Sequence, residues 1–457
     1  MKWFIFCSFI FINVAAKRTF EGYKVYKISP KNVNELNFVK DLERDGIGQL
    51  WDDQVNVDFE ARIMVKPDNV ENFLNKMDSS GVGYKVMIGD LQRVINEQMQ
   101  PNQIRSSSYL SYSWDRYHDL DTIYKWLDEI VEQYPNIVTS VVMGQSVEGR
   151  DIKGIVINYK PEKEHKTIGM IEGTLHAREW ISPAVVNWIV KEFLTSDDPG
   201  VRIMAENIEW HIFPVVNPDG YVYTFTTNRM WRKNRSTYNF QSCSAFGLDD
   251  DMSNGIDLNR NFNFHWMSTG ASDNPCTNTY AGPSAFSEPE ARAIANYVLG
   301  LKDQGRFIYY YGFHSYTQLF VIPYSHVNIS GVLEADNYSD MYEIAVRGAE
   351  KAKERYNTTY RVGIAAEILY PMSGTSFDWV KHEANVAVSY LIELRDLGEY
   401  GFLLPPAQII PNSLEIMDAL IEMDRVTRLL GYYSKSTLIL GSFNALVLSI
   451  VLAILIR

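Results

Sequence analysis

The sequence predicts an α/β protein in which a small α+β unit precedes a larger layered domain. Up to about residue 105, short apolar strands alternate with two segments of helical spacing. From about residue 114 to 432, short apolar runs alternate with longer amphipathic segments, which indicates strands interleaved with helices. The chain has 457 residues, which is enough for two or three domains with substantial cores.

The amino-terminal unit is predicted from residue spacing and from Asn-rich helix starts. Its strands are expected at 23–28, 57–65 and 84–88, and its helices at 32–45 and 69–80. The next segment, 96–113, is polar, contains Pro101 and is predicted to be a linker. Arg105 precedes three serines there, which favours cleavage by a trypsin-like protease; an uncut interdomain hinge is the alternative.

The larger domain is predicted to begin with two strands within 139–157, which surround a glycine-containing turn. A third strand is expected at 167–174, followed by an amphipathic helix at 182–194 that opens with Ser182 and Pro183. Further buried strands are predicted at 208–216, 306–313 and 385–392. This alternation is the reason for assigning an α/β layer architecture.

Both ends of the chain are apolar. Residues 1–16 have an early lysine, an apolar run and small residues up to Ala16, which is typical of a secretory signal peptide. Residues 437–456 carry no charge and are long enough to span a bilayer, so 437–457 is predicted to be a membrane anchor. A buried helix is the alternative, and the choice between a transmembrane and a lipid anchor stays open.

Other features agree with an extracellular location tethered to the cell surface. Removing the signal peptide also removes Cys7, and the remaining pair, Cys243 and Cys276, most simply forms one disulfide. Glycosylation sequons occur at Asn234, Asn328, Asn337 and Asn357. The formal net charge of −13 argues against a nucleic-acid partner, because phosphate binding needs clustered Lys and Arg.

Polar residues follow three of the predicted strands. His176, His314 and Glu393 come directly after such strands, and Glu179 follows His176 by three residues. Ligand sites of open α/β sheets lie at the carboxyl ends of strands, so these side chains are expected to converge. Two imidazoles and one carboxylate suit a catalytic Zn²⁺ with one open position, and a second carboxylate would be a base for the attacking water. Hydrogen-bonded loop histidines, and a structural ion pair that involves Arg395 or Asp396 next to Glu393, are the alternatives.

At these residues the chain resembles a known family, the zinc metallocarboxypeptidases, and specifically the secreted procarboxypeptidases of the A/B group. The resemblance spans residues 114 to about 430 and depends on seven ordered motifs: GTLHAREWIS, VVNPDGY, NRMWRKNRS, GIDLNRNF, FHSYTQL, SGTSFDW and IELRDLGEYGFLLP. It implies a carboxypeptidase-like α/β/α domain over 106–432, with a mixed central β-sheet flanked by helices. It also implies that 17–105 is an inhibitory propeptide with a small antiparallel α+β fold.

The resemblance implies an exopeptidase that removes the last residue of peptide or protein C-termini, and it assigns roles to individual residues. His176, Glu179 and His314 would bind one zinc ion, and Glu393 would be the general base. Arg232 would polarise the scissile carbonyl, and Asp257 would orient His176. Substrate binding would fall to Arg178, Asn259, Arg260 and Tyr370, and Cys243 would pair with Cys276.

The family's side-chain pocket has its base at the residue before the DW dipeptide, which is Phe377 in this chain. An aspartate there would imply basic terminal residues, so Phe377 favours aliphatic or aromatic ones. Other matching pocket positions are Ser325, Leu369, Met372 and Leu391. Two alternatives are a B-type enzyme for basic terminal residues and a catalytically inactive relative that binds peptides at a surface. The segment between Cys243 and Asp257 is longer than the family pattern.

Overall fold

The computed structural model describes residues 17–52, 55–102, 108–162, 166–237, 243, 250–329 and 331–433. The signal peptide 1–16, the cleavage site at Arg105 and the apolar tail 437–457 therefore lie outside the described residues, and those three assignments stay predictions. Among the helices of the described part, none is both long enough and apolar enough to span a bilayer.

The amino-terminal unit is a four-stranded antiparallel sheet with three helices. Its elements are β1 (Lys24–Ile28), α1 (Val33–Arg44), β2 (Gln49–Leu50), β3 (Ala61–Val65), α2 (Val70–Ser80), β4 (Tyr84–Ile88) and α3 (Leu91–Gln98). The strand order is β2-β3-β1-β4. Helix α1 begins after Asn32, whose side chain accepts a hydrogen bond from the Glu35 amide, as Asn-rich starts predict. The α+β prediction for this unit is confirmed.

Two predictions for this unit need correction. The strand expected at 57–65 begins only at Ala61, because Asp58 has a φ of 65° and cannot continue an extended strand. The linker expected from residue 96 overlaps α3, which Asp90 caps and whose buried side chains recur at helical spacing. The end of the same segment forms a short hairpin of two strands, β5 (Ser108–Tyr109) and β6 (Tyr112–Ser113).

The larger domain contains one eight-stranded mixed sheet and nine helices among the described residues. The strands after β6 are β7 (Val138–Gln145), β8 (Asp151–Ile157), β9 (Lys166–Gly173), β10 (Glu209–Phe213), β11 (Gly305–Ser315), β12 (Leu319–Ile322), β13 (Val327–Asn328), β14 (Gly331–Val332), β15 (Arg361–Ile364) and β16 (Val388–Leu394). The helices are α4 (Leu120–Gln133), α5 (Ile181–Thr195), α6 (Pro199–Asn207), α7 (Pro218–Thr226), α8 (Pro289–Gln304), α9 (Tyr338–Tyr356), α10 (Ala365–Ile368), α11 (Ser376–Glu383) and α12 (Ile409–Leu429).

The large sheet has the order β15-β12-β16-β11-β9-β10-β8-β7. Its centre, β10-β9-β11-β16, is parallel, while β8 and β7 at one side and the β12/β16 pair at the other introduce antiparallel pairing. Helices including α4, α5, α8, α9 and α11 contact its strands. The predicted α/β class with a mixed central sheet flanked by helices is thus confirmed. Because β9, β11 and β16 are parallel neighbours, their carboxyl ends meet at one edge.

Candidate active site

The segment after β9 turns sharply so that two polar side chains face the sheet edge. Thr174 has a φ of 59°, and a Cβ on Gly173 would lie 2.7 Å from the Ser182 hydroxyl oxygen and 2.9 Å from the Pro214 carbonyl oxygen. The Ser182 hydroxyl accepts a hydrogen bond from the Thr174 amide at 3.0 Å and donates one to the Phe313 carbonyl at 2.7 Å. The start of α5 is thereby fixed against the ends of β9 and β11.

Three predicted metal ligands converge at this edge. The Nδ1 atom of His176 is 2.8 Å from Glu179 Oε1 and 3.1 Å from His314 Nδ1, and His314 Nδ1 is 3.1 Å from Glu179 Oε2. All three side chains are buried. Burial alone would raise the pKa of the Glu179 carboxyl, but the two imidazoles hold it well below its ordinary value. The carboxylate is therefore anionic and suited to a cation.

The donor set fits a catalytic zinc ion. Both imidazoles turn Nδ1 towards the Glu179 carboxylate, and within the described residues this is the one group of three or more such ligands that could hold a metal. Nε2 of His176 lies 3.2 Å from Asp257 Oδ1, which leaves Nδ1 for the metal. Three protein ligands of this type leave a fourth coordination position for water or substrate.

Asp257 connects the metal ligands to two arginines. Its Oδ2 accepts hydrogen bonds from Arg232 Nη2 at 2.8 Å and Nε at 3.3 Å, and lies 3.9 Å from Arg260 Nη1. Burial would raise the pKa of Asp257, but these guanidinium groups and His176 lower it well below its usual range. The family resemblance implied only that Asp257 contacts His176. The structure shows that Asp257 also holds the Arg232 guanidinium.

Asn259, Arg260 and Tyr370 lie together at another side of the cleft. Arg260 donates from Nε to the Gly270 carbonyl at 2.8 Å and from Nη2 to the Tyr370 hydroxyl at 3.1 Å. Asn259 accepts a hydrogen bond from the Ser376 amide at 2.9 Å through Oδ1. The structure therefore brings Asn259 and Arg260, expected to hold the terminal carboxylate, together with Tyr370, expected to donate its hydroxyl to the substrate.

Glu393 lies on β16 in register with His314 on β11, so the two side chains occupy one row of the sheet. It is half-buried and lines the cavity that also contains Glu179 and Arg232. A carboxylate beside the metal ligands, outside the ligand group itself, is the arrangement expected of a general base.

The cleft is a cavity of about 540 Å³ between the two units. Leu369, Met372 and Leu391 line it, as the side-chain pocket prediction expects. Phe377 and Ser325 are not among the lining residues; Phe377 is buried in the same core cluster as Leu391. The bulky Met372 and Leu391 side chains form the wall. Phe377 does not line the cavity, although the sequence analysis expected it at the base of the pocket.

The amino-terminal unit covers this cleft. Arg178, expected to bind substrate further along the peptide, donates from Nη2 to the Trp51 carbonyl at 2.9 Å, and its guanidinium lies 4.0 Å from the Phe402 ring centre. Arg62 donates from Nη2 to the Leu397 carbonyl at 3.3 Å. While Trp51 occupies this position, a substrate peptide cannot reach Arg178.

A second set of contacts connects α3 to the larger domain. Arg229 is buried and donates to Gln98 Oε1 at 2.9 Å and to the Phe402 carbonyl at 2.8 Å. Burial lowers its pKa to about 9. Sequence reasoning missed Arg229, Arg62 and Trp51, because a contact between two separately folded units leaves no periodic signal in either.

Cys243 and Cys276 form a disulfide with a Cα–Cα distance of 5.6 Å. It packs in a small buried cluster with Trp231, Met252 and Ala177, the residue that follows the predicted metal ligand His176 in the chain. Within the long segment between Cys243 and Asp257, residues 244–249 lie outside the described residues.

Comparisons with known proteins agree with this geometry. A zinc carboxypeptidase model matches residues 123–419, and a carboxypeptidase activation peptide model matches residues 26–98. Zinc carboxypeptidase A 1 of Drosophila melanogaster is 35% identical over 92% of this chain and 96% of its own length. Carboxypeptidase B of Bos taurus is 33% identical over 88% of this chain and 92% of its own. The crystal structure of thrombin activatable fibrinolysis inhibitor superimposes with a TM-score of 0.80 at 29% identity, covering 90% of this chain and all of that one.

Proposed function

Since this chain belongs to the zinc carboxypeptidase family and carries its activation peptide, we propose that it is the zymogen of an A-type enzyme. The active form would release apolar C-terminal residues from peptides and proteins. The observation that carries the proposal is the convergence of the His176, Glu179 and His314 donor atoms at one buried point, with Glu393 in the adjacent strand. The domain limits proposed are 17–105 for the propeptide and 106–432 for the catalytic domain.

His176, Glu179 and His314 would hold the zinc ion. When bound, zinc supplies a Lewis acid and lowers the pKa of a coordinated water. Glu393 would take the proton of the attacking water and deliver it to the amine that leaves when the C–N bond breaks. Arg232, held by Asp257, would donate hydrogen bonds to the oxygen that becomes negative.

Asn259 and Arg260 would bind the terminal carboxylate of the substrate. A guanidinium pairs with a carboxylate through two parallel hydrogen bonds, which fixes both distance and orientation. Tyr370, whose hydroxyl already lies 3.1 Å from Arg260 Nη2, would donate to the bound peptide. Because the clamp requires a carboxylate at this point, the enzyme would cleave only at chain ends.

The preference for apolar terminal residues rests on the cavity wall. Leu369, Met372 and Leu391 present hydrocarbon, and burial of a cation against them would be costly without a countercharge. Asp378, the acidic residue next to Phe377, accepts a hydrogen bond from the Ser325 amide at 2.8 Å and is not a lining residue. These observations favour A-type over B-type specificity.

The amino-terminal unit would keep the zymogen inactive by covering the cleft. Cleavage near Arg105 by a trypsin-like protease would separate the two units, after which Trp51 and Arg62 could leave. We also propose secretion, supported by the disulfide and by the apolar residues 1–16. Tethering through 437–457 rests on the sequence of that segment alone.

The test is tryptic activation of the purified full chain, followed by assay of peptides that end in Leu, Phe or Lys. Leu and Phe should be released, release should stop after chelation, and zinc should restore it. Glu393→Gln should abolish turnover while one zinc per chain is retained, because the base is not a ligand. Faster release of Lys than of Leu would contradict the A-type assignment. Absence of any release after confirmed cleavage would contradict the zymogen assignment.

A further inference from the structure

We propose that Arg361 binds an acidic side chain of the substrate upstream of the bond that is cleaved. The proposal rests on the proposed function and extends it to the upstream side chains of the substrate, a region where the roles above name only Arg178. Arg361 is the first residue of β15, is exposed, and lines the same cavity as Glu393.

The register of the sheet places Arg361 in line with the catalytic groups. Leu319 pairs with Glu393 on one side and with Arg361 on the other, while Glu393 pairs with His314. Residues directly opposite in neighbouring strands point to the same face, so the four side chains form one row. With a strand spacing of roughly 4.8 Å, the Cα atoms of Arg361 and Glu393 are about 10 Å apart. The Arg361 side chain shortens that separation, and each extended substrate residue spans roughly 3.5 Å, so the penultimate and third-last residues come within its range.

The set of charged side chains that lines the cavity changes when the amino-terminal unit leaves. Among the described residues Arg361 has no ion pair, and the carboxylates of the larger domain that line the cavity are Glu179 and Glu393. The other lining carboxylates include Asp58 and Glu60, which belong to the amino-terminal unit. After activation, Arg361 is therefore an exposed cation on the cleft wall, with Glu393 two strands away in the same row.

The terminal residue of the substrate does not need Arg361. Its carboxylate is assigned to Asn259 and Arg260, and its side chain lies against the apolar wall. A substrate residue upstream of the scissile bond has no such partner at the Leu319 end of the row. The segment that covers the cleft in the zymogen contributes Asp58 and Glu60 to the lining of this same cavity.

The test uses trypsin-activated full chain and amino-blocked peptides that end in Leu. Each peptide carries Glu, Gln or Lys at the penultimate or the third-last position. We expect kcat/KM for Glu to exceed that for Gln by about threefold to fivefold at one of these positions, the range of a solvent-exposed ion pair. The difference should nearly vanish in 1 M NaCl, where the screening length is about 3 Å.

Arg361→Gln should remove the Glu preference, and Arg361→Glu should replace it with a Lys preference. The matched control is Arg347→Gln, which removes one exposed positive charge from α9, away from the cavity, and should keep the preference. Equal rates for Glu and Gln at both positions, or a preference that survives in Arg361→Gln, would overturn the proposal. These outcomes leave the carboxypeptidase assignment intact, since that assignment fails only if no peptide is cleaved.

Discussion

Arg62 is the side chain through which the amino-terminal unit holds the rim of the cleft. It pairs with Asp52 at 3.0 Å within its own unit, and it reaches across to the Leu397 carbonyl at 3.3 Å. Its guanidinium carbon also lies 5.4 Å from the ring centre of Tyr316. A Cβ on Gly398 would lie 2.5 Å from an Arg62 nitrogen, which shows how closely the two units approach. We predict that Arg62→Met weakens the hold of the cleaved propeptide.

The expected size of the effect follows from the two contacts that cross between the units. A hydrogen bond from a charged donor contributes about 1.5–3 kcal/mol, and the long Leu397 contact belongs at the low end of that range. The cation–π contact joins two buried side chains and adds at least about 0.5–1 kcal/mol. The sum is about 2 kcal/mol, which corresponds to a roughly 30-fold weaker association. The Asp52 pair lies within one unit and does not enter this sum.

The assay is dilution of the trypsin-cleaved full chain, with peptide hydrolysis as the readout of propeptide release. Activity of Arg62→Met should appear at a protein concentration about 30-fold higher than in the unsubstituted protein, as the roughly 2 kcal/mol loss requires. Arg44→Met is the control, because Arg44 is an exposed cation that pairs with Asp41 and Asp45 inside its own unit. Identical dilution curves for Arg62→Met and the unsubstituted protein would refute the reasoning.

Three further predictions follow from the site and its surroundings. Arg260→Lys should raise KM about tenfold with a smaller change in kcat, because lysine cannot pair bidentately with a carboxylate; an unchanged KM would argue against the clamp. Burial raises the pKa of Asp378 to about 7, so between about pH 4 and 7 the carboxyl ionises more readily in the unfolded chain and destabilises the fold increasingly as pH rises. Asparagine does not ionise, so the melting temperature of Asp378→Asn relative to that of the unsubstituted protein should rise across this pH range. Mass spectrometry of secreted protein should find a glycan at the exposed Asn357 and none at Asn234, which is buried with its amide nitrogen 2.7 Å from Glu288; a glycan on Asn234 in folded protein would contradict this.

The sequence predicted the elements whose signal is local. The predicted limits of strands β9, β11 and β16 agree with the structure within a few residues, because each strand is a short apolar run of the length typical of a buried strand. The convergence of His176, His314 and Glu393 was predictable for a related reason, since polar residues at the carboxyl ends of neighbouring parallel strands lie at one edge of the sheet. Their individual roles in the reaction came from motif resemblance and stay proposals.

The features that the sequence did not predict depend on contacts between segments that are distant in the chain. Nothing in the spacing of Arg62 or Trp51 indicates that they face Leu397 and Arg178, because residue spacing records packing within an element and not contacts between distant segments. Phe377 shows the opposite limitation. The motif identified Phe377 as a pocket residue. Whether its side chain reaches the cavity depends on the packing of neighbouring side chains, which the motif does not show. In the structure Met372 lines the cavity and Phe377 does not.

The most direct test of the central claim compares two peptides that are identical except at the C-terminus, one a free acid and one an amide. If the His176–Glu179–His314 site works with the Asn259–Arg260 clamp, the activated protein will release the terminal Leu from the acid and leave the amide intact. Cleavage of both peptides at similar rates, or at internal bonds, would contradict the account.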